Sequence, residues 1–220
     1  MADAVDAVVV GGVTYVEHSG GGGVTVILDG EEVVFTSSNG IVWFEPGKVL
    51  IDALEPLRAY SRNHCNGPVR ISKAPESVGA TSMGLISPVG TGPLLRFDTA
   101  GEYIINTDAF VCASSKCVVN CETFLGTLWN RISVTSLPVC DYFQVAIPDD
   151  GSTMWLQTGG PIFKRHLGAG ETLQLRMEYL VAFEKTLGQG QVDGGIGYHP
   201  CAWAEVGLVK VPWGSCYRFK

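Results

Sequence analysis

Positive charge is scarce in this chain. Fifteen Lys and Arg stand against 22 Asp and Glu in 220 residues, a formal net charge of −7, and the first Lys and Arg are Lys48 and Arg58. No global positive field exists to draw phosphate backbones or anionic lipid to the surface, so no nucleic-acid partner is expected. The opening MADAVDAVVV carries two aspartates and no base, unlike a secretory n-region or an Arg-rich presequence. Unbroken apolar runs are missing as well. The longest uncharged one, Ser77 to Leu95, is interrupted by Gly79, Gly84, Pro88, Gly90, Gly92 and Pro93, which excludes it as an integral membrane helix. There is no Asn-x-Ser/Thr acceptor, and the seven cysteines are an odd number in a chain long enough to fold without staples. Both point to reduced thiols and a cytoplasmic location.

Helical periodicity is the next absence. The 28 glycines and 11 prolines are spread along the chain, and no window of a dozen residues sustains apolar spacing at i, i+3, i+4 and i+7. Yet 46% of the residues are hydrophobic and mean hydropathy is +0.21, enough apolar material for a core and too much for disorder. What recurs is short runs rich in Val, Ile, Phe and Tyr, each closed by Gly, Pro, Asn or Asp: VTVIL (24–28), EEVVF (31–35), EYIIN (102–106) and ETLQL (171–175). These read as β-strands. Asn39-Gly40 lies between two apolar runs in VVFTSSNGIVWF, the dipeptide that suits a tight turn between twisted antiparallel strands, so a hairpin is expected there.

Internal similarity adds to the local reading. ILDGEEVVF, FDTAGEYII and LGAGETLQL share one plan, and their glycines Gly30, Gly101 and Gly170 are spaced by 71 and 69 residues. Each glycine is expected to supply a left-handed turn, followed by an acidic residue, Glu31, Glu102 or Glu171, that keeps the bend wetted. Phe110 to Ala113 and Leu180 to Phe183 are apolar at every position, as in strands covered on both faces, and Ile41 to Phe44 shows the same mixture. Leu173 and Leu175 are expected on one face of their strand, with Gln174 and Arg176 on the other. The predicted fold is all-β, an antiparallel β-sandwich of about three similar multi-strand units (about 20–75, 85–145 and 150–220). No linker separates the units, so they are read as one domain over 1–220.

Ser19-Gly20-Gly21-Gly22-Gly23 lacks the Gly-Lys-Ser/Thr of a phosphate loop and reads as a hairpin tip. GQGQVDGGIG (188–197) has aspartate at 193 where dinucleotide spacing needs glycine and reads as a surface loop. Cys112, Cys117 and Cys121 have gaps of four and three residues, but Cys112 falls in an apolar strand where cysteine is commonly a small core residue. His199-Pro-Cys201 is isolated, and the four histidines, 18, 64, 166 and 199, form no HxH or HExxH pair. No G-x-S-x-G elbow occurs. Asp149-Asp150 could divide acid and base roles, but their setting between Pro148 and Ser152 reads as a polar hairpin tip. Convergence of Glu31, Glu102 and Glu171 would make a cation site only with further ligands. No residue is therefore assigned a catalytic, cofactor-binding or metal-ligating role, and no cofactor is expected.

The stretch STMWLQTGGPIFKRHLGAGETLQLRMEYLVAFEKTL (152–187) resembles the signature of the altered-inheritance-of-mitochondria family, a domain of unknown function. GPLLRFDTAGEYIINTDAFVCAS (92–114) and VTVILDGEEVVFTSSNGIVWF (24–44) resemble its preceding and opening repeats. The resemblance implies a body similar in fold to the tryptophan RNA-binding attenuation proteins, homotrimeric assembly and no established catalytic activity; its eukaryotic members work in mitochondria. RNA binding does not transfer with the fold, because function resides in sites and this chain is acidic. The expected role is a non-enzymatic assembly or binding module that forms a homo-oligomer. The rivals are a metal- or small-molecule-binding enzyme using Cys112, Cys117 and Cys121 or His199 and Cys201, and a single-strand nucleic-acid binder with exposed Trp and Tyr.

Overall fold

The computed structural model describes residues 5–19, 22–54, 67–87, 92–122, 142–160, 162–167, 173–176, 180–185, 189–191, 203–206 and 214–219. Strands dominate them, and their only helical pieces are two 3-10 turns, Ser38–Gly40 and Thr107–Ala109.

Strands β1 (Val5–Val10), β2 (Val13–His18) and β3 (Val24–Leu28) run as an antiparallel meander in the first sheet. The chain then crosses to a second sheet for β4 (Val33–Ser37) and returns to the first for β5 (Ile41–Phe44). It crosses again for the adjacent β6 (Val49–Ala53) and β7 (Pro68–Lys73), and returns with β8 (Thr81–Leu85) between β3 and β5. The same itinerary links the second and third sheets through β9 (Leu94–Phe97), β10 (Gly101–Asn106), β11 (Phe110–Ser114), β12 (Val118–Glu122), β13 (Tyr142–Ile147) and β14 (Met154–Gln157). It links the third and fourth sheets through β15 (Ile162–Leu167), β16 (Leu173–Arg176), β17 (Leu180–Glu184), β18 (Gln189–Gln191), β19 (Trp203–Val206) and β20 (Gly214–Phe219). The sheet orders are β1-β2-β3-β8-β5, β6-β7-β4-β11-β14-β9, β12-β13-β10-β17-β20-β15 and β16-β19-β18. The two six-stranded sheets are thus each built from three strands of one pass and three of the next. Every pairing among the described residues is antiparallel.

The period-two pattern of β3 decides its faces: Val24, Val26 and Leu28 are buried, while Thr25 and Ile27 are half-covered. One core cluster joins the first and second sheets through Tyr15, Leu28, Ile71, Met83, Cys112 and Trp155. Another joins the second and third through Tyr103, Phe110, Phe143, Leu156 and Val181. Burying an aromatic or branched aliphatic side chain contributes about 1.5–3 kcal/mol, so such residues, and not the turns, hold the layers together. Strand β11 is buried at every position and lies inside its sheet, and β17 lies between β10 and β20 with Val181, Ala182 and Phe183 buried. Both agree with the all-apolar pattern of these segments.

Four expectations are corrected. Asn39-Gly40 does not close a hairpin. It belongs to the 3-10 turn that carries the chain from β4 in one sheet to β5 in another. Glycine is needed there for a different reason: Ile86 N donates to Gly40 O at 2.9 Å, and a Cβ on Gly40 would lie 2.8 Å from Ile86 O. Ile41–Phe44 is not an inner strand, since β5 ends the first sheet and Val42, Trp43 and Phe44 are exposed. Asp149-Asp150-Gly151 is not a hairpin tip but the crossing from β13 in the third sheet to β14 in the second. Within 188–197, Gln189–Gln191 is strand β18 instead of loop, and the rest of that segment lies outside the described residues. Gly30 also differs in detail. Its φ is not positive, and Glu32 folds back to accept from Gly30 N at 2.9 Å, while Glu31 is exposed as expected. The described part of the glycine-rich 19–23 segment does close the β2–β3 hairpin, with His18 N donating to Gly23 O at 3.0 Å and φ +80° at Gly23.

Candidate functional site

The fold buries Cys112 and Cys117 near one another and places Cys121 on a strand of the third sheet. Cys112 lies on β11 in the second sheet within the first core cluster, Cys117 belongs to the second cluster, and Cys121 lies on β12 in the third sheet opposite Phe143. Burial, reinforced by the neighbouring Cys117, pushes the Cys112 thiol well above its ordinary pKa. Burial also raises that of Cys117, although Ser114 opposes it. The Cys117 thiol lies 3.6 Å from Ser114 Oγ and donates to Thr153 O at 3.8 Å. Groups held as neutral thiols are poor nucleophiles and poor metal ligands. Among the described residues no three His, Cys, Asp or Glu side chains gather to hold a metal ion. His64, His199 and Cys201 lie outside the described residues.

The carboxylates serve structure. Asp150 accepts from Ser152 Oγ at 2.5 Å and Ser152 N at 3.1 Å and pairs with Lys116 at 2.9 Å. The Ser152 and Lys116 hydrogen bonds lower its pKa, so it stays ionised as an anchor of the turn. Glu102 accepts from Gln144 Nε2 at 3.1 Å and pairs with Lys185 at the same distance, all on the surface of the third sheet. Glu31 is exposed, and Glu171 lies outside the described residues.

Beneath the first sheet, Tyr15 stacks on Trp155 with centroids 4.2 Å apart and planes inclined by 23°. Trp155 Nε1 donates to Glu17 Oε1 at 2.8 Å, while the Tyr15 hydroxyl is buried with no hydrogen-bond partner. Burial and the nearby Cys112 and Cys117 raise the Tyr15 pKa, so the phenol stays protonated.

The feature least like ordinary surface is β5 with the turn after it. Val42, Trp43 and Phe44 are 61%, 45% and 42% exposed, and beyond the turn Leu50 and Ile51 of β6 are also exposed. The turn is well built: Pro46 precedes Gly47 at φ +77°, and Lys48 N donates to Glu45 O at 3.1 Å, the pattern of a type II turn. Glu45 pairs with Lys48 at 2.6 Å and accepts from Ser82 Oγ at 3.0 Å, bonds that lower its pKa and tie the end of β5 to β8. Trp43 lies over Gly84, its cross-strand partner on β8, and a Cβ on Gly84 would come within 2.6 Å of the indole Cδ1. The missing side chain makes room for the indole beside the β8 backbone, and Trp43 remains 45% exposed. Sequence reasoning missed this surface because IVWF has the composition of a core strand, and its pairing opposite Gly84 is visible only in the fold.

Comparison with known proteins fits the architecture. The family model for mitochondrial biogenesis AIM24 matches residues 14–195, most of the chain. The chain belongs to the AIM24 family. No curated protein matches it significantly. The AIM24 chain is similar in fold to a Streptococcus pyogenes protein whose crystal structure was determined by structural genomics. The TM-score is 0.62 at 12% identity, over 99% of this chain and 93% of the other. Members of the AIM24 family are linked by its description to mitochondria. Among the described residues no helix is long and apolar enough to cross a membrane.

Proposed function

We propose that this AIM24 protein works by association and not by catalysis, as a homo-oligomeric assembly or binding module, with three chains as the expected number. The observation that carries the reading is the uncharged, solvent-exposed strand β5, with Val42, Trp43 and Phe44 open to water at the end of a sheet. Soluble proteins ordinarily guard such an edge with charge, proline or a covering element, and an apolar patch left open marks a contact surface. The recurring strand itinerary supports reading the chain as three copies of one unit that share sheets, a plan suited to continued addition. The net charge of −7 argues against a nucleic-acid partner, and neutral, buried Cys112 and Cys117 suit a reducing, cytoplasmic setting. The family link suggests a part in mitochondrial organisation. Light scattering tests the reading: a multiple of 23.5 kDa is expected, and a chain that stays monomeric at every concentration overturns it.

A further inference from the structure

Strand β5 has two counterparts inside the chain. Like β5, which pairs with β8, strand β11 pairs with β14 and β17 with β20. All three carry a register shift in the same place: between Ile41 and Trp43, between Phe110 and Cys112, and between Leu180 and Phe183. They differ on the other edge. There β4 covers β11, with Thr36 opposite Cys112 and Phe35 opposite Ala113. In the same way β10 covers β17, with Ile105 opposite Ala182 and Ile104 opposite Phe183. Val111 and Val181 each belong to a core cluster and are 0% exposed, whereas Val42, at the corresponding place, is 61% exposed. Among the described residues no strand covers that edge of β5. The third pass presents the converse: β16 corresponds to β4 and β10, yet it ends the fourth sheet with β19 as its paired neighbour.

We propose that β16 of one molecule docks antiparallel along β5 of a second copy, so that the sheet sharing seen between successive passes continues from chain to chain. The proposal rests on the association reading above and names its surface. The register follows from the chain itself. Ser37, Asn106 and Arg176 end β4, β10 and β16, each four residues before the start of β5, β11 and β17. Thr36 and Ile105 therefore correspond to Leu175, and Phe35 and Ile104 to Gln174. Leu175 then lies opposite Trp43 of the second copy, and Gln174 opposite Phe44.

The chemistry suits this partner. The open edge of β5 offers backbone donors and acceptors, which an added strand satisfies directly, and Ile41-Val42-Trp43-Phe44 sets no charge against it. A chain's own β16 belongs to the fourth sheet, separated from the first by two sheets in the succession. The contact is head to tail, so it closes into a ring or grows according to the rotation per chain.

The test is Val42→Lys, which places a charge on the free edge at a position already open to water. Dilute V42K should melt like dilute wild type, while its self-association, read by light scattering across a concentration series, weakens by about tenfold or more, a change of ~1.4 kcal/mol. Added to wild type, V42K should lower the mass of the assemblies, because its β16 still binds a neighbour while its β5 accepts none. Three outcomes overturn the proposal: V42K assembling as wild type does, V42K staying out of wild-type assemblies, or a wild-type monomer. If wild type assembles and V42K does too, only the β5 contact falls and association stands. If wild type is a monomer, association falls too. Amide exchange of residues 41–44 then tells a strand covered within its own chain, which exchanges slowly, from an open one.

Discussion

Tyr15 offers the sharpest check on the packing between the first two sheets. Its ring is buried against Trp155, and its hydroxyl has no hydrogen-bond partner. In the unfolded chain water satisfies that hydroxyl; folding removes the water, and a buried polar group left unpaired costs about 1–3 kcal/mol. Tyr15→Phe keeps the stack on Trp155 and removes only the orphaned oxygen, so the variant should be more stable by about 1 kcal/mol. For a chain of this size that is a rise in melting temperature of about 2–4 °C. Urea unfolding should show the midpoint moving up with an unchanged slope. A second reading comes from alkali. Burial raises the folded-state pKa of Tyr15 above the ordinary value of about 10, so the folded state keeps a proton that the unfolded state gives up. Stability must then fall as pH rises above about 10, by up to ~1.4 kcal/mol per pH unit for this group, and Y15F should lose that part of the slope. A Y15F protein destabilised by 1 kcal/mol or more, with the alkaline slope intact, would refute the reasoning and mean that the hydroxyl has a strong partner in solution.

Three further outcomes follow from the described geometry. Gly23→Ala should destabilise by about 2 kcal/mol or more in chemical denaturation, because φ is +80° there and the added Cβ overlaps the Leu85 carbonyl, which is backbone and cannot swing aside. Cys112 and Cys117 should resist a thiol reagent at neutral pH and react only at the rate of unfolding; mass spectrometry of the labelled peptides distinguishes this from rapid native-state labelling. At the acid end, the lowered pKa values of Asp150 and Glu45 mean that their contributions are present above about pH 4 and are lost as pH falls below it. Asp150→Asn should flatten that part of an acid titration of stability, and an unchanged profile would show that the Ser152 and Lys116 contacts do not favour the ionised form.

How far the chain could be read in advance depends on whether a feature is local. VTVIL, EYIIN, FVCA and LVAF became β3, β10, β11 and β17 because alternating or uniformly apolar runs closed by turn residues carry their own strand signal. The spacing of Gly30 and Gly101 also held information, since each lies where the chain crosses from one sheet to the next. What composition could not supply was the identity of neighbours. The segments at 41–44, 110–113 and 180–183 look alike, yet β11 and β17 acquire a covering strand from the previous pass and β5 does not. Asn39-Gly40 shows the same limit: a dipeptide suited to a hairpin serves a crossing, because the partners of β4 are β7 and β11 and that of β5 is β8. The corrections at the Asn39, Asp149 and Ile41 segments thus have one cause, partners distant in sequence. The functional reading inherits the same dependence. The apolar character of IVWF is legible from residues alone, but its exposure is not: among the described residues β5 pairs with β8 on one side and no strand lies along its other edge.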